Sequence, residues 1–144
     1  MDNVLISACL LSLACRYDGE QREYDLKNLK EKFNLIPVCP EIYGGLPTPR
    51  VPSEITGERV LNREGVDVTA QYEKGARETL KTAKLLNAKY ALLKARSPSC
   101  GKGEVYDGTF SRTLTPGDGI TVRLLKENGV EVFTENEINL LLAK

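Results

Sequence analysis

The sequence predicts a three-layer α/β fold: a mostly parallel four-stranded sheet with helices on both faces and a small β-ribbon beside it. Two observations carry this. Short apolar runs of strand length recur at residues 4–8, 35–38, 90–93 and 130–133. The stretches between them place apolar residues at helical spacing, and strands that alternate with helices pair in parallel through right-handed crossovers. The pattern is Rossmann- or flavodoxin-like, and such sheets bind ligands beyond the carboxyl ends of their strands.

Taken in order, the first strand, Val4-Leu5-Ile6-Ser7-Ala8, delivers Cys9. Residues 10–14 suit a turn of helix, and Cys15-Arg16-Tyr17-Asp18-Gly19 reads as a loop by its Asp-Gly ending. Leu26, Leu29 and Phe33 share one face of a helix predicted over 24–33, which leads to the strand Leu35-Ile36-Pro37-Val38 and so to Cys39. Residues 40–52 hold four of the seven prolines and read as a long loop. A loop of that length in a compact domain is usually functional or disordered, and this one is expected to be functional because it starts at a cysteine. Residues 56–68 alternate weakly around two glycine turns, which suits a surface ribbon.

Asp67-Val68-Thr69 can cap the next helix, the longest, in which Tyr72, Ala76, Leu80 and Ala83 form one stripe that Leu86 continues before Asn87 ends it. It feeds the strand at 90–94 and the segment Ser97-Pro98-Ser99-Cys100-Gly101, followed by a glycine-containing loop over 102–111. Pro116-Gly117-Asp118-Gly119 opens a helix that Asn128-Gly129 closes. Val130-Glu131-Val132-Phe133 is the fourth strand, and Thr134-Glu135-Asn136-Glu137 is a capping box on a terminal helix. The chain shows no internal repeat.

Composition narrows the function. At 144 residues, 41% of them hydrophobic, the chain fits one domain, 1–144, with a sizeable core. Lys+Arg and Asp+Glu both number 20, so no basic bias points to a nucleic acid or an anionic membrane, and a small-molecule partner is expected. The oligomeric state is left open. No signal-peptide pattern and no run of membrane-spanning length is present, so a cytoplasmic protein is expected. Thiols stay reduced there, and four cysteines then argue for metal or catalysis before disulfides. Histidine is absent, which removes Ser-His-Asp and Cys-His nucleophile systems and every His-containing metal site.

The cysteines do not form a C-x-x-C pair, so neither a thioredoxin-like dithiol nor a paired-knuckle zinc site has its signature. A phosphatase-type loop would put five residues between cysteine and arginine, whereas six separate Cys9 from Arg16. Cys9, Cys39 and Cys100 each follow a predicted strand, and parallel strands would bring all three to one rim. Single cysteines from separate loops suit an iron–sulfur cluster, which tolerates varied spacing. Three thiolates leave one iron open, a soft Lewis acid able to take a sulfur ligand. Cys15 is then a fourth ligand, a proton or sulfur carrier, or a bystander. Two other readings stay open on these residues: a cluster-free carrier bearing a persulfide on Cys15 or Cys100, and a zinc-structured or ligand-binding module without catalysis.

Several motifs in order resemble one family. Cys9-Leu10-Leu11, Cys15-Arg16-Tyr17-Asp18-Gly19, Pro37-Val38-Cys39-Pro40-Glu41, Gly44-Gly45-Leu46, Thr48-Pro49-Arg50, Ser97-Pro98-Ser99-Cys100-Gly101 and Tyr106-Asp107-Gly108-Thr109-Phe110-Ser111 are similar to the DUF523 group of small bacterial proteins, which includes thiouracil desulfidases. The resemblance implies a [4Fe-4S] cluster held by Cys9, Cys39 and Cys100, whose open iron accepts the sulfur of a thiolated pyrimidine in a non-redox desulfuration. It also implies Glu41 as general acid/base and Ser97 as a group bonded to substrate or water. Arg50, Arg96 and Ser99 are the expected substrate contacts. Each has a structural alternative: Glu41 as acceptor for loop N–H groups, Ser97 as cap of the turn before Pro98, and the arginines as loop ties. Ser12 and Val122 stand where the family pattern has glycine and alanine.

Overall fold

The computed structural model describes residues 1–11 and 26–144. Cys15, Ser12, the loop expected at 15–19 and the start of the helix expected at 24 lie outside the described residues. The elements are β1 (Asn3–Ser7), a 3-10 turn (Ala8–Leu11), α1 (Lys27–Lys32), β2 (Asn34–Val38), α2 (Pro40–Tyr43), β3 (Ser53–Thr56), β4 (Arg59–Asn62), α3 (Thr69–Leu85), β5 (Tyr90–Leu93), β6 (Glu104–Tyr106), β7 (Leu114–Pro116), α4 (Ile120–Glu127), β8 (Glu131–Thr134), a second 3-10 turn (Glu135–Glu137) and α5 (Ile138–Leu142).

β2, β1, β5 and β8 form one parallel sheet in that order. The period of two along each strand divides the core. Leu5, Val38, Ala91, Leu93 and Val132 face α3 and α4, whereas Val4, Ile6, Leu92 and Phe133 face α1 and α5. Because β1 pairs with β2 on one side and β5 on the other, the winding reverses between β1 and β5, and the crevice beyond that point is where an open α/β sheet receives a ligand. Cys9 follows one of these strands and Cys100 the other.

Three segments depart from expectation. The loop expected over 40–52 begins as α2, because Pro40 occupies the first helical turn, where its fixed φ is favourable and its missing N–H costs nothing. The ribbon expected over 56–68 is centred earlier, as the hairpin β3–β4 turning at Gly57 with φ +64°. The loop expected over 102–111 contains β6, which forms a second hairpin with β7 just beyond it, both strands being too short, at three residues, to show alternation. Ile55, Val60, Val68, Tyr72 and Val105 form a separate small core under these ribbons.

The capping box is present: Thr134 accepts from the Asn136 N–H at 3.2 Å, and Glu137 accepts from the Thr134 N–H at 3.1 Å. Lys102 also donates to Glu137 at 3.0 Å. Asp118 accepts from the Gly103 N–H at 2.8 Å and from Lys126 at 2.9 Å, fastening the segment after Cys100 to α4. Burial pushes both carboxyls up, but the N–H groups and ammonium partners outweigh it and hold both below their ordinary values. Groups with depressed pKa contribute stability above their unfolded pKa, about 4, and lose it as pH falls through the folded value. Thermal stability is therefore expected to fall below about pH 4, and Asp118→Asn to flatten that acid dependence. An unchanged pH profile in the variant would show that Asp118 carries none of it.

Candidate functional site

Cys39 is the residue before α2, with extended φ −135° and ψ 92°, and its carbonyl accepts from the Tyr43 N–H at 2.9 Å. Two glycines set where α2 lies. A Cβ on Gly75 of α3 would stand 1.8 Å from the Pro40 carbonyl oxygen, and one on Gly44 would stand 1.9 Å from that of Gln71. The two helices therefore cross backbone to backbone, and that crossing fixes Cys39 and Glu41 on either side of Pro40.

Glu41 meets Arg50 from the following loop. Arg50 Nε donates to Glu41 Oε2 at 2.8 Å and Nη2 lies 2.6 Å from the same oxygen, with both side chains largely buried. Arg50 Nη1 also donates to the Pro47 carbonyl and the Thr48 hydroxyl, each at 3.1 Å, so one guanidinium ties the loop and holds the carboxylate. Burial would lower the Arg50 pKa, but the charge and hydrogen bond of Glu41 raise it above its ordinary value. Tyr72 of α3, nearly fully buried, hydrogen-bonds to Glu41 and Ser53. Its hydroxyl is pushed up chiefly by burial and then by the charge of Glu41.

The Cys100 turn is built by Ser97, whose Oγ accepts from the Cys100 N–H at 2.7 Å and the Ser99 N–H at 3.2 Å. Ser99 is fully buried, its hydroxyl 2.7 Å from that of Thr121 in α4. Its carbonyl accepts from the Thr121 N–H at 3.0 Å, and a Cβ on Gly119 would meet that same oxygen at 2.4 Å. The start of α4 thus rests directly on the turn. Arg96 has φ +71°, is half exposed and pairs with Glu104 at 3.5 Å.

Cys100 is buried, and its thiol is pushed up to about 12, first by burial and then by the negative charge of Glu41. Hydrogen bonds from Ser7 and Ser99 act the other way, and Cys39 contributes a further rise. Cys39, Cys100, Glu41 and Arg50 therefore sense one another at the carboxyl end of the sheet. Cys9 stands at the same end, just beyond β1, partly buried against the core on the α1 and α5 side.

These donors suit an iron–sulfur cluster. A thiol as buried as Cys100 ionises readily only beside a compensating cation, and a coordinating metal supplies one. The same burial leaves it a poor nucleophile at neutral pH, which disfavours a persulfide on Cys100. Among the described residues, no three His, Cys, Asp or Glu side chains are grouped for a single ion. A four-iron cube takes thiolates at separate corners, and Cys9, Cys39 and Cys100 are thiols that follow three strands of one sheet.

Ser7 and Tyr72 belong to the site, and the sequence did not single them out. Ser7 showed one signal, a polar residue at the end of an apolar strand. Tyr72 read only as part of a core stripe. Further along the rim, between β5 and β8, a cavity of about 340 Å³ is lined in part by Lys102 and Glu137, which are already paired.

A parallel sheet with thiols and an arginine-held carboxylate beyond its carboxyl end defines an α/β protein with a thiol-bearing polar site at that rim. The chain belongs to the 2-thiouracil desulfurase family of enzymes, whose sequence profile matches residues 4–137. It is 43% identical over 150 residues to the protein YbbK of Bacillus subtilis (strain 168), covering 96% of this chain and 99% of that protein. The solved structure of the [4Fe-4S]-dependent thiouracil desulfidase TudS (DUF523Vcz) superposes with a TM-score of 0.93 at 40% identity, covering 98% of this chain and 95% of that one. The family resemblance in the motifs and the α/β fold are both borne out. No helix among the described residues is long and apolar enough to cross a membrane.

Proposed function

We propose that this chain removes sulfur from a thiolated pyrimidine of the thiouracil type, with a [4Fe-4S] cluster held by Cys9, Cys39 and Cys100. The balance is hydrolytic: the C=S bond is replaced by C=O, water supplies the oxygen, sulfur leaves as hydrosulfide, and no net electron is transferred. Bound at the three thiolates, the cluster supplies a thiophilic iron for the substrate sulfur. Glu41 takes the proton of the attacking water. Arg50 keeps one carboxylate oxygen occupied and fixes the plane of the group, and Tyr72 supports it from α3. Ser97 orders the Cys100 turn through two N–H groups and retains its own hydroxyl proton for substrate or water. Ser99 acts behind Cys100, given its full burial. Arg50 serves substrate through Glu41, and Arg96 stands at the outer lip. Reduced thiolates of this kind suit the cytoplasm.

The observation that carries this reading is the gathering of Cys39, Cys100 and an arginine-held Glu41 beyond the carboxyl end of the sheet. Protein reconstituted anaerobically with iron and sulfide is expected to turn 2-thiouracil or 4-thiouracil into uracil and sulfide in equal amounts. An intact cluster that yields neither product would rule out this substrate class. A colourless protein carrying persulfide, or one zinc per chain without labile sulfide, would favour the two alternative chemistries.

A further inference from the structure

Ser7 is the last residue of β1 and nearly fully buried. Two residues after Leu5, it projects to the α3 and α4 face, the side on which Cys100 joins the core. Its Oγ accepts from the Lys94 N–H at 3.0 Å, across the β1–β5 crevice. With a lone pair committed there, the hydroxyl proton is left to face the side on which Cys100 is buried, where it favours the ionised sulfur. Lys94 is itself fixed: its ammonium lies 2.7 Å from Glu135, which also accepts from the Ala95 N–H at 2.7 Å. Ser99, its hydroxyl bonded to Thr121, acts on the Cys100 thiol in the same direction.

The geometry points to Ser7 as a positioning residue that donates a hydrogen bond to the Cys100 sulfur and thereby sets the electron density of that one cluster ligand. The inference rests on the proposed cluster. A donor on a ligating sulfur draws charge from it, which raises the reduction potential and makes the metal more electron-poor. For a site that must attract a substrate sulfur without giving up an electron, that is a useful bias. Lys94 aims the hydroxyl, so strand pairing at the switch point and the electronics of the site are set by one side chain.

The test uses anaerobically reconstituted wild-type protein, Ser7→Ala and Ser7→Thr. Ser7→Ala is expected to retain iron while its midpoint potential moves negative and its Fe–S(Cys) stretching frequencies rise, and Ser7→Thr, which keeps the oxygen, to return both toward wild type. Transfer of the wild type into D2O is expected to shift the same vibrations, a readout that needs no variant. Iron uptake with unchanged potential and vibrations in Ser7→Ala, or wild-type vibrations insensitive to D2O, would overturn the role of Ser7 alone. A wild-type chain that takes up no iron would overturn the cluster and this inference together.

Discussion

Replacing Gly75 by alanine is expected to lower stability and empty the site, although alanine is the better helix former. In the interior of α3 the exchange should gain about 1 kcal/mol of helix propensity. Against this, the new Cβ would stand 1.8 Å from the Pro40 carbonyl oxygen, a backbone atom that cannot rotate away. Overpacking of this kind costs about 1–3 kcal/mol and occasionally more, and a backbone clash this close belongs at the upper end, so after the propensity gain a net loss of about 2 kcal/mol is expected. For a chain of 144 residues that is a fall in Tm of about 4–8 °C. The displaced element is α2, which has Cys39 before it and Glu41 inside it, so iron retained after reconstitution should fall with stability. A more stable Gly75→Ala with full iron content would show that α2 and α3 do not meet backbone to backbone.

Glu41→Gln is expected to separate chemistry from structure. The amide keeps the shape and one acceptor for Arg50 but cannot take a proton, and loss of a general base costs about 10²–10⁴-fold in rate. Stability should fall as well, because a largely buried guanidinium loses its charged partner, and about 1–3 kcal/mol is the usual scale for a buried group left poorly satisfied. Iron content should hold, since Glu41 is not a ligand. Glu41→Asp keeps the charge on a shorter arm and should recover part of the rate. Full desulfuration by Glu41→Gln would reduce the residue to a tie for the Arg50 loop.

The four strands of the main sheet were legible because each is a short apolar run and the segments between them carry helical spacing. The capping box at Thr134 was legible for a similar reason, since its donors and acceptors lie three residues apart. The helix α2 was not, because prolines at 40, 47, 49 and 52 read as a loop and a single turn of helix has no periodicity to display. β6 and β7 are hidden by their brevity. At the site, the positions of Cys39, Cys100 and Glu41 follow from strands that end on one side, which local pattern can find. Their supports do not: Gly75 against Pro40, Ser7 against Lys94 and Tyr72 against Glu41 are contacts between distant parts of the chain. Besides the polar Ser7 at the end of an apolar strand, Gly75 left a trace, a glycine inside the longest helix, where only close packing would make its propensity cost worthwhile.

Iron and labile sulfide, counted per chain after anaerobic reconstitution of the four single Cys→Ser variants, test the ligand set most directly. Loss of both from the Cys9, Cys39 and Cys100 variants, with Cys15→Ser still loaded and brown, is the expected result. Equal loading of Cys9→Ser and wild type would contradict a cube held by thiolates from all three strand ends.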